Sequence, residues 1–151
     1  MPQKPLLANI LLVDDSHYDV VLTKIMLERD KVIANIIAVG DGREALAYLG
    51  NLPPFENASK PDLILLDLNM PDINGFKVLK VMVDKDWLRD IPVIICSGSD
   101  SERDLDTARG FGVIDYLVKP IEYARLAPIL ARIPKLTVNV TDEHHFICRC
   151  A

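Results

Sequence analysis

Cysteine is scarce in this 151-residue sequence: three residues, Cys96, Cys148 and Cys150. That number makes no disulfide framework and points to the cytoplasm. Long apolar runs are missing too, and none approaches the roughly 20 residues of a membrane-spanning helix. Positive charge is short, with 17 Lys and Arg against 22 Asp and Glu, a formal net charge of -5 and no basic block. Nothing therefore recommends nucleic acid or an anionic membrane as a partner. The opening "MPQKPLLANILLVDDS" has one lysine and a short apolar stretch, but it ends in Asp14-Asp15 rather than in small residues suited to cleavage. It reads better as a buried strand than as a secretory signal. After that strand stands "DDSHYD" instead of G-x-G-x-x-G, which excludes the dinucleotide-binding fingerprint. Internal repeats and low-complexity segments are absent. What is present is ordinary for a globular chain: 50% hydrophobic and 26% charged, with a length that suits one domain burying its own core.

Short runs rich in Ile, Leu and Val lie at 9–13, 32–39, 62–66, 92–96 and 113–118. Most are continuous rather than alternating, as strands covered on both faces should be. Helix-like stretches separate them at 17–29, 42–49, 75–85, 101–109 and 122–132. Ser16 followed three positions later by Asp19 makes a capping-box pattern at the first. Pro128 removes a backbone hydrogen bond from the last, which predicts a kinked or short helix. Five strand-helix repeats imply an α/β fold, a doubly wound five-stranded parallel sheet with helices on both faces. In such sheets ligands bind beyond the carboxyl ends of the strands, where the strand order reverses.

Within that frame the acids gather. Asp14 and Asp15 end the first strand, and Asp67 in "LILLDLNMPDINGF" ends the third. If these strands are neighbours, three carboxylates crowd one edge and raise one another's pKa values. A divalent cation relieves that repulsion, and Mg2+ suits one or two carboxylates plus waters and phosphate oxygens. Lys119 ends the fifth strand and Ser97 the fourth, adding a cation and a hydroxyl. A nucleophilic carboxylate, a metal site, a cation and a hydroxyl donor are the parts needed to receive a phosphoryl group.

This constellation resembles the receiver domain of two-component response regulators. "ILLVDDS" looks like its acidic-pair strand, "DLILLDLNMPDINGF" like its phosphoacceptor strand and loop, "IPVIICSG" like its hydroxyl strand and "DYLVKP" like its lysine strand. The resemblance spans residues 8 to 132 and implies a flavodoxin-like receiver fold. It makes Asp67 the phosphoacceptor and Asp15 a direct Mg2+ ligand, with Asp14 holding the metal through water and the Asn69 carbonyl completing the set. It also implies that Lys119 pairs with phosphoryl oxygens, that Ser97 hydrogen-bonds one of them, and that Tyr116 is an aromatic switch. A histidine kinase would be the donor, and Ser97 drawn inward would free space for Tyr116. That would re-shape the surface of the fourth helix, fifth strand and fifth helix. Slow hydrolysis of the acyl phosphate is expected, tuned by Ser99 and Asn69. Serine stands where threonine is commoner, and Gly98 where alanine is usual.

Other readings compete. The acids can serve a helix dipole or a turn, Lys119 and Ser97 can be solvated loop residues, and Tyr116 can be core. An aspartate-nucleophile phosphatase wants a second Asp two residues on as general acid, and Asn69 stands there. A receiver fold used only for interaction would not need the intact acid set.

Two segments fall outside the pattern. "GNLPPFENASKP" (50–61) is long for a connection and reads as an ordered or semi-ordered surface loop. A similar loop occurs in stand-alone receivers that partner phytochromes, which implies a phytochrome-type kinase. Residues 1–133 are expected to form the receiver, leaving too few residues for an output domain. In "KLTVNVTDEHHFICRCA" (135–151) apolar residues alternate, a period-2 signal for a C-terminal β-strand or hairpin arm. His144, His145, Cys148 and Cys150 invite a zinc reading, but Cys-x-Cys is short of the usual spacing. With the receiver sheet covered on both faces, the arm has few places to pack. The expectation is a homodimer through residues 134–151, the arm pairing with a second subunit.

Overall fold

The chain folds as its apolar runs demand, strand by strand, in a computed structural model that describes residues 6–87, 89–98 and 102–150. In order the elements are β1 (Asn9–Val13), α1 (His17–Arg29), β2 (Val32–Ile33), β3 (Asn35–Val39), α2 (Gly42–Leu49), β4 (Leu63–Leu66) and α3 (Gly75–Asp84). Then follow β5 (Val93–Ser97), α4 (Glu102–Phe111), β6 (Asp115–Val118), α5 (Tyr123–Leu130), β7 (Leu136–Thr141) and β8 (His144–Arg149). Five strands form a parallel sheet in the order β3-β1-β4-β5-β6. Every residue of β4 and β5 is buried, because helices cover both faces.

Alternation along the strands divides the core into two layers. Ile10, Leu12, Leu63 and Leu65 point to one face, where Leu27 of α1 and Leu126 of α5 cover them. Leu11, Val13, Ile64 and Leu66 point to the other, beneath Ala45 of α2 and Val78 and Leu79 of α3. Each such side chain contributes about 1.5–3 kcal/mol on burial. The strand order reverses between β1 and β4, so the crevice beyond their carboxyl ends is the place for a ligand.

The starts of α1, α2 and α3 are capped by side chains that the sequence places there. Ser16 Oγ accepts from the Asp19 N–H, Asp41 Oδ1 from the Glu44 N–H, and Asn74 Oδ1 from the Lys77 N–H. Helix α5 is only eight residues long with Pro128 inside it, the short form that the missing N–H favours. In the 50–61 loop Asn51 Nδ2 donates to the carbonyls of Phe55 (3.2 Å) and Ala58 (3.0 Å), and the Tyr48 hydroxyl donates to the Ser59 carbonyl.

Two expectations need correction. Residues 32–39 are not one strand: Val32–Ile33 pairs with β8 in a second sheet, and only Asn35–Val39 joins the main one. The C-terminal arm does find a place on its own chain. It forms a hairpin, β7 against β8, inside a three-stranded sheet ordered β2-β8-β7. The N-terminal segment extends this pairing, since Ala8 N–H donates to the Ile147 carbonyl and Arg149 N–H to the Leu6 carbonyl. Leu136 and Ile147 are buried in the same core layer as Ile10 and Leu126, and Cys148 is buried as well. The expectation that the arm has few places to pack on its own chain and crosses to a second subunit is corrected by this docking against β1 and α5.

Candidate functional site

Asp14 follows β1 and Asp67 follows β4, and the Asp67 N–H donates to the Val13 carbonyl (3.0 Å), which holds the two strand ends level. Asp14 and Asp67 are buried, whereas Asp15 is exposed. One ligand oxygen from each of Asp14, Asp15 and Asp67 lies within 4.8 Å of the others. The loop after Asp67 is held close by α3: a Cβ on Gly75 would lie 2.6 Å from the Asp67 carbonyl and 2.8 Å from Leu68 Cα. Only glycine allows that approach.

Lys119, just after β6, is anchored by its N–H to the Ser97 carbonyl (2.7 Å). Its Nζ reaches Asp14 Oδ2 at 2.6 Å, Asp19 Oδ2 at 2.9 Å and Asp67 Oδ2 at 3.3 Å. Asp14 Oδ1 accepts from the Ser16 N–H and Asp67 Oδ1 from the Asn69 N–H. Asn69 Nδ2 donates to Ser97 Oγ (3.3 Å), so the buried hydroxyl at the end of β5 stands beside the acids. Tyr116 on β6 is half-buried and lines an open cavity of about 450 Å3 with Leu105 of α4 and Pro128 and Ile129 of α5. Ser99 lies outside the described residues.

Electrostatics follows from the geometry. Two charges within 4.8 Å repel by roughly 3 kcal/mol or more at an effective dielectric constant near 20. Burial pushes the Asp67 carboxyl above the ordinary aspartate range, against the Asn69 N–H and the Lys119 charge, and the Asp14 charge adds to the rise. Burial alone would lower Lys119, but its bonds to Asp14 and Asp19 and the charge of Asp67 outweigh that and hold the ammonium charged. Burial also pushes the Cys96 thiol up, so it stays protonated and is no nucleophile. One ammonium meets the carboxylates of Asp14, Asp19 and Asp67, Asp15 adds a further one beside Asp14 and Asp67, and the surplus negative charge fits a divalent cation.

Asp14, Asp15, Asp67, Asn69, Ser97 and Lys119 therefore meet at one sheet edge, as the strand ends imply. The sequence reading missed Asp19, whose apparent role was the capping box. Only half of that box forms: its N–H binds Ser16 Oγ while its carboxylate turns to Lys119. Its position in the first turn of a helix that begins at the site edge was the available signal. The zinc reading fails: among the described residues, the three acids are the only His, Cys, Asp or Glu group placed for a metal. Cys148 is buried against Asn139, and Cys150 is exposed. Among the described residues no helix is long and apolar enough to cross a membrane.

Comparison with known proteins agrees with this geometry. The family model of the response regulator receiver domain matches residues 10–131. Response regulator Rcp1 of Synechocystis sp. is 36% identical over 110 residues, 73% of this chain and 75% of that protein. The solved structure of the bacteriophytochrome response regulator RtBRR is similar with a TM-score of 0.77 and 36% identity, covering 91% of this chain and 83% of its own. The Mn2+-bound form of Rcp1 is similar with a TM-score of 0.69 and 30% identity, covering 88% and 99%. A parallel sheet in this order, with this acid set at its switch point and a matching family model over most of its length, belongs to a response regulator receiver of two-component signalling, and this chain is a member of that family.

Proposed function

We propose that Asp67 accepts a phosphoryl group from the phosphohistidine of a histidine kinase, with Mg2+ as the cation. The observation that carries this reading is the set of three carboxylates within 4.8 Å, with the Lys119 ammonium bonded to two of them. Asp15 would hold Mg2+ directly, Asp14 through water, and Asp67 and the Asn69 carbonyl would complete the protein's share. When bound, the ion neutralises the crowded charge and polarises phosphoryl oxygens. An Asp67 oxygen forms the new P–O bond as the donor P–N bond breaks. The new group adds about -1.5 to -2 charges, which Lys119 and Ser97 then meet. Ser97 moving inward makes room for Tyr116, and the 450 Å3 cavity between α4 and α5 supports this as the surface that changes. Slow hydrolysis of the acyl phosphate returns the resting state, with the Asn69 side chain beside the phosphoryl position.

The likeness to bacteriophytochrome and cyanobacterial regulators supports a phytochrome-type kinase as donor, and the low cysteine content fits a cytoplasmic setting. The test is transfer of a radiolabelled phosphoryl group from such a kinase. Label should pass to the wild-type chain only when Mg2+ is present, and transfer undiminished by chelator would refute the metal's role. The absence of a proton donor at Asn69 argues against the phosphatase alternative.

A homodimer through residues 134–151 belongs to this reading in an altered form. Strand β7 is an open edge of the second sheet, with Val140 64% exposed, and open edges attract other strands. A second copy pairing edge to edge would close it. Val140→Lys should shift light scattering toward the monomer, and an unchanged mass would exclude that edge.

A further inference from the structure

An ammonium group has three N–H donors, and in this chain three carboxylates take the Lys119 set: Asp14 at 2.6 Å, Asp19 at 2.9 Å and Asp67 at 3.3 Å. A phosphoryl group arriving on Asp67 brings three more acceptor oxygens. Lys119 can serve them only by giving up a bond it already makes. The three partners differ in what release would cost. The Asp14 side chain is 2% exposed, so losing Lys119 would leave a buried charge without its partner. The Asp67 bond is the longest, and the transfer itself replaces it. The Asp19 side chain is 32% exposed at the start of α1, where water can take over its hydrogen bonds.

Asp19 is therefore the bond that yields. We propose that Asp19 is a positioning residue that competes with the phosphoryl group for Lys119, holding the ammonium toward α1 in the resting state and setting how strongly the site takes a phosphoryl group. This rests on Asp67 being the phosphoacceptor. A competitor has a signature that a scaffold residue lacks. Replacing Asp19 by its neutral isostere frees Lys119 and so favours the phosphoryl group. The same change removes one negative charge from the neighbourhood of the acids, and so cannot favour the cation. A residue needed only for folding would weaken both.

The experiment is calorimetric titration of the full chain with beryllofluoride, a phosphoryl mimic, at saturating Mg2+, together with titration by Mg2+ alone. Asp19→Asn should bind beryllofluoride about twofold to fivefold more tightly than wild type, the range expected for releasing a partly exposed ion pair. It should bind Mg2+ no more tightly than wild type. In a Lys119→Gln background the gain should vanish, because the competed-for ammonium is gone. Equal or weaker beryllofluoride binding by Asp19→Asn overturns the proposal. So does a gain that survives Lys119→Gln, or one matched by tighter Mg2+ binding. An Asp67→Asn control separates the two levels. If that variant still binds beryllofluoride, the phosphoacceptor reading fails; if it does not, any failure above belongs to Asp19 alone.

Discussion

Replacing Asp67 by asparagine should make the protein more stable while removing its function. The Asp67 side chain is 7% exposed and shares its pocket with Asp14 at 2%. At an effective dielectric constant near 20, repulsion from Asp14 within 4.8 Å is roughly 3 kcal/mol, while attraction to Lys119 at 3.3 Å is roughly 5 kcal/mol; Asp15 is exposed and screened by water. The two charges act in opposite directions, and burial of the carboxylate tips the balance against the ionised form. Asparagine keeps the volume and an oxygen for the Asn69 N–H, so Asp67→Asn should gain about 1–2 kcal/mol at neutral pH. For a chain of this size that raises Tm by roughly 2–8 °C. The sign with pH is fixed. A carboxyl whose native pKa lies above its unfolded value contributes stability below the unfolded value and loses it as pH rises through the native one. The advantage of Asp67→Asn is therefore larger at neutral pH than in acid, where the wild-type carboxyl is protonated in both the folded and the unfolded chain. Urea melts of both proteins in chelator, at neutral pH and below the ordinary aspartate value, measure it. Equal or lower stability of the variant at neutral pH, or an advantage that grows in acid, would refute the reasoning. Mg2+ at a hundredfold excess over Kd should stabilise wild type by about 2.7 kcal/mol, enough to reverse the gap if the variant does not bind the ion.

Three further outcomes follow from the same contacts. Asp15→Asn should weaken Mg2+ binding at least tenfold with little change in stability in chelator, because Asp15 is exposed; calorimetric Mg2+ titration and urea melts check the two halves. Lys119→Ala should cost about 3–5 kcal/mol in chelator by leaving Asp14 and Asp67 without their shared cation, and Mg2+ should restore part of that in thermal melts. Ile147→Ala should cost about 2–5 kcal/mol by urea melt, since Ile147 is fully buried with Ile10 and Leu126; a surface arm would lose far less.

Asp14, Asp15, Asp67, Ser97 and Lys119 were legible because each stands where a continuous apolar run stops, and in a doubly wound sheet those stops share one edge. The hairpin at residues 136–149 was legible as strands from its alternation, but its docking was not. Docking depends on contacts of Leu136 and Ile147 with Ile10 and Leu126, residues distant in sequence, and local periodicity carries no information about such contacts. The break in "VIANIIAV" was hidden for a related reason. A run that is apolar throughout reads as one strand, and only the pairing of Val32 and Ile33 with His145 and Phe146 decides that it divides. Asp19 was masked by a satisfying local explanation. Its N–H does meet Ser16 Oγ, but the partner of its carboxylate lies 100 residues further along the chain.

The claim on which the account stands is that the Asp67 carboxylate, among four acids at one edge, takes the phosphoryl group. Acyl phosphates are reduced by borohydride while free carboxylates are not, so reduction after treatment with acetyl phosphate and Mg2+ marks the modified residue. Peptide mass spectrometry then locates it. The mark should fall on Asp67 in wild type and be lost throughout the chain in Asp67→Asn. A mark on Asp14, Asp15 or Asp19 in wild type, or none anywhere with Mg2+ present, would contradict the account.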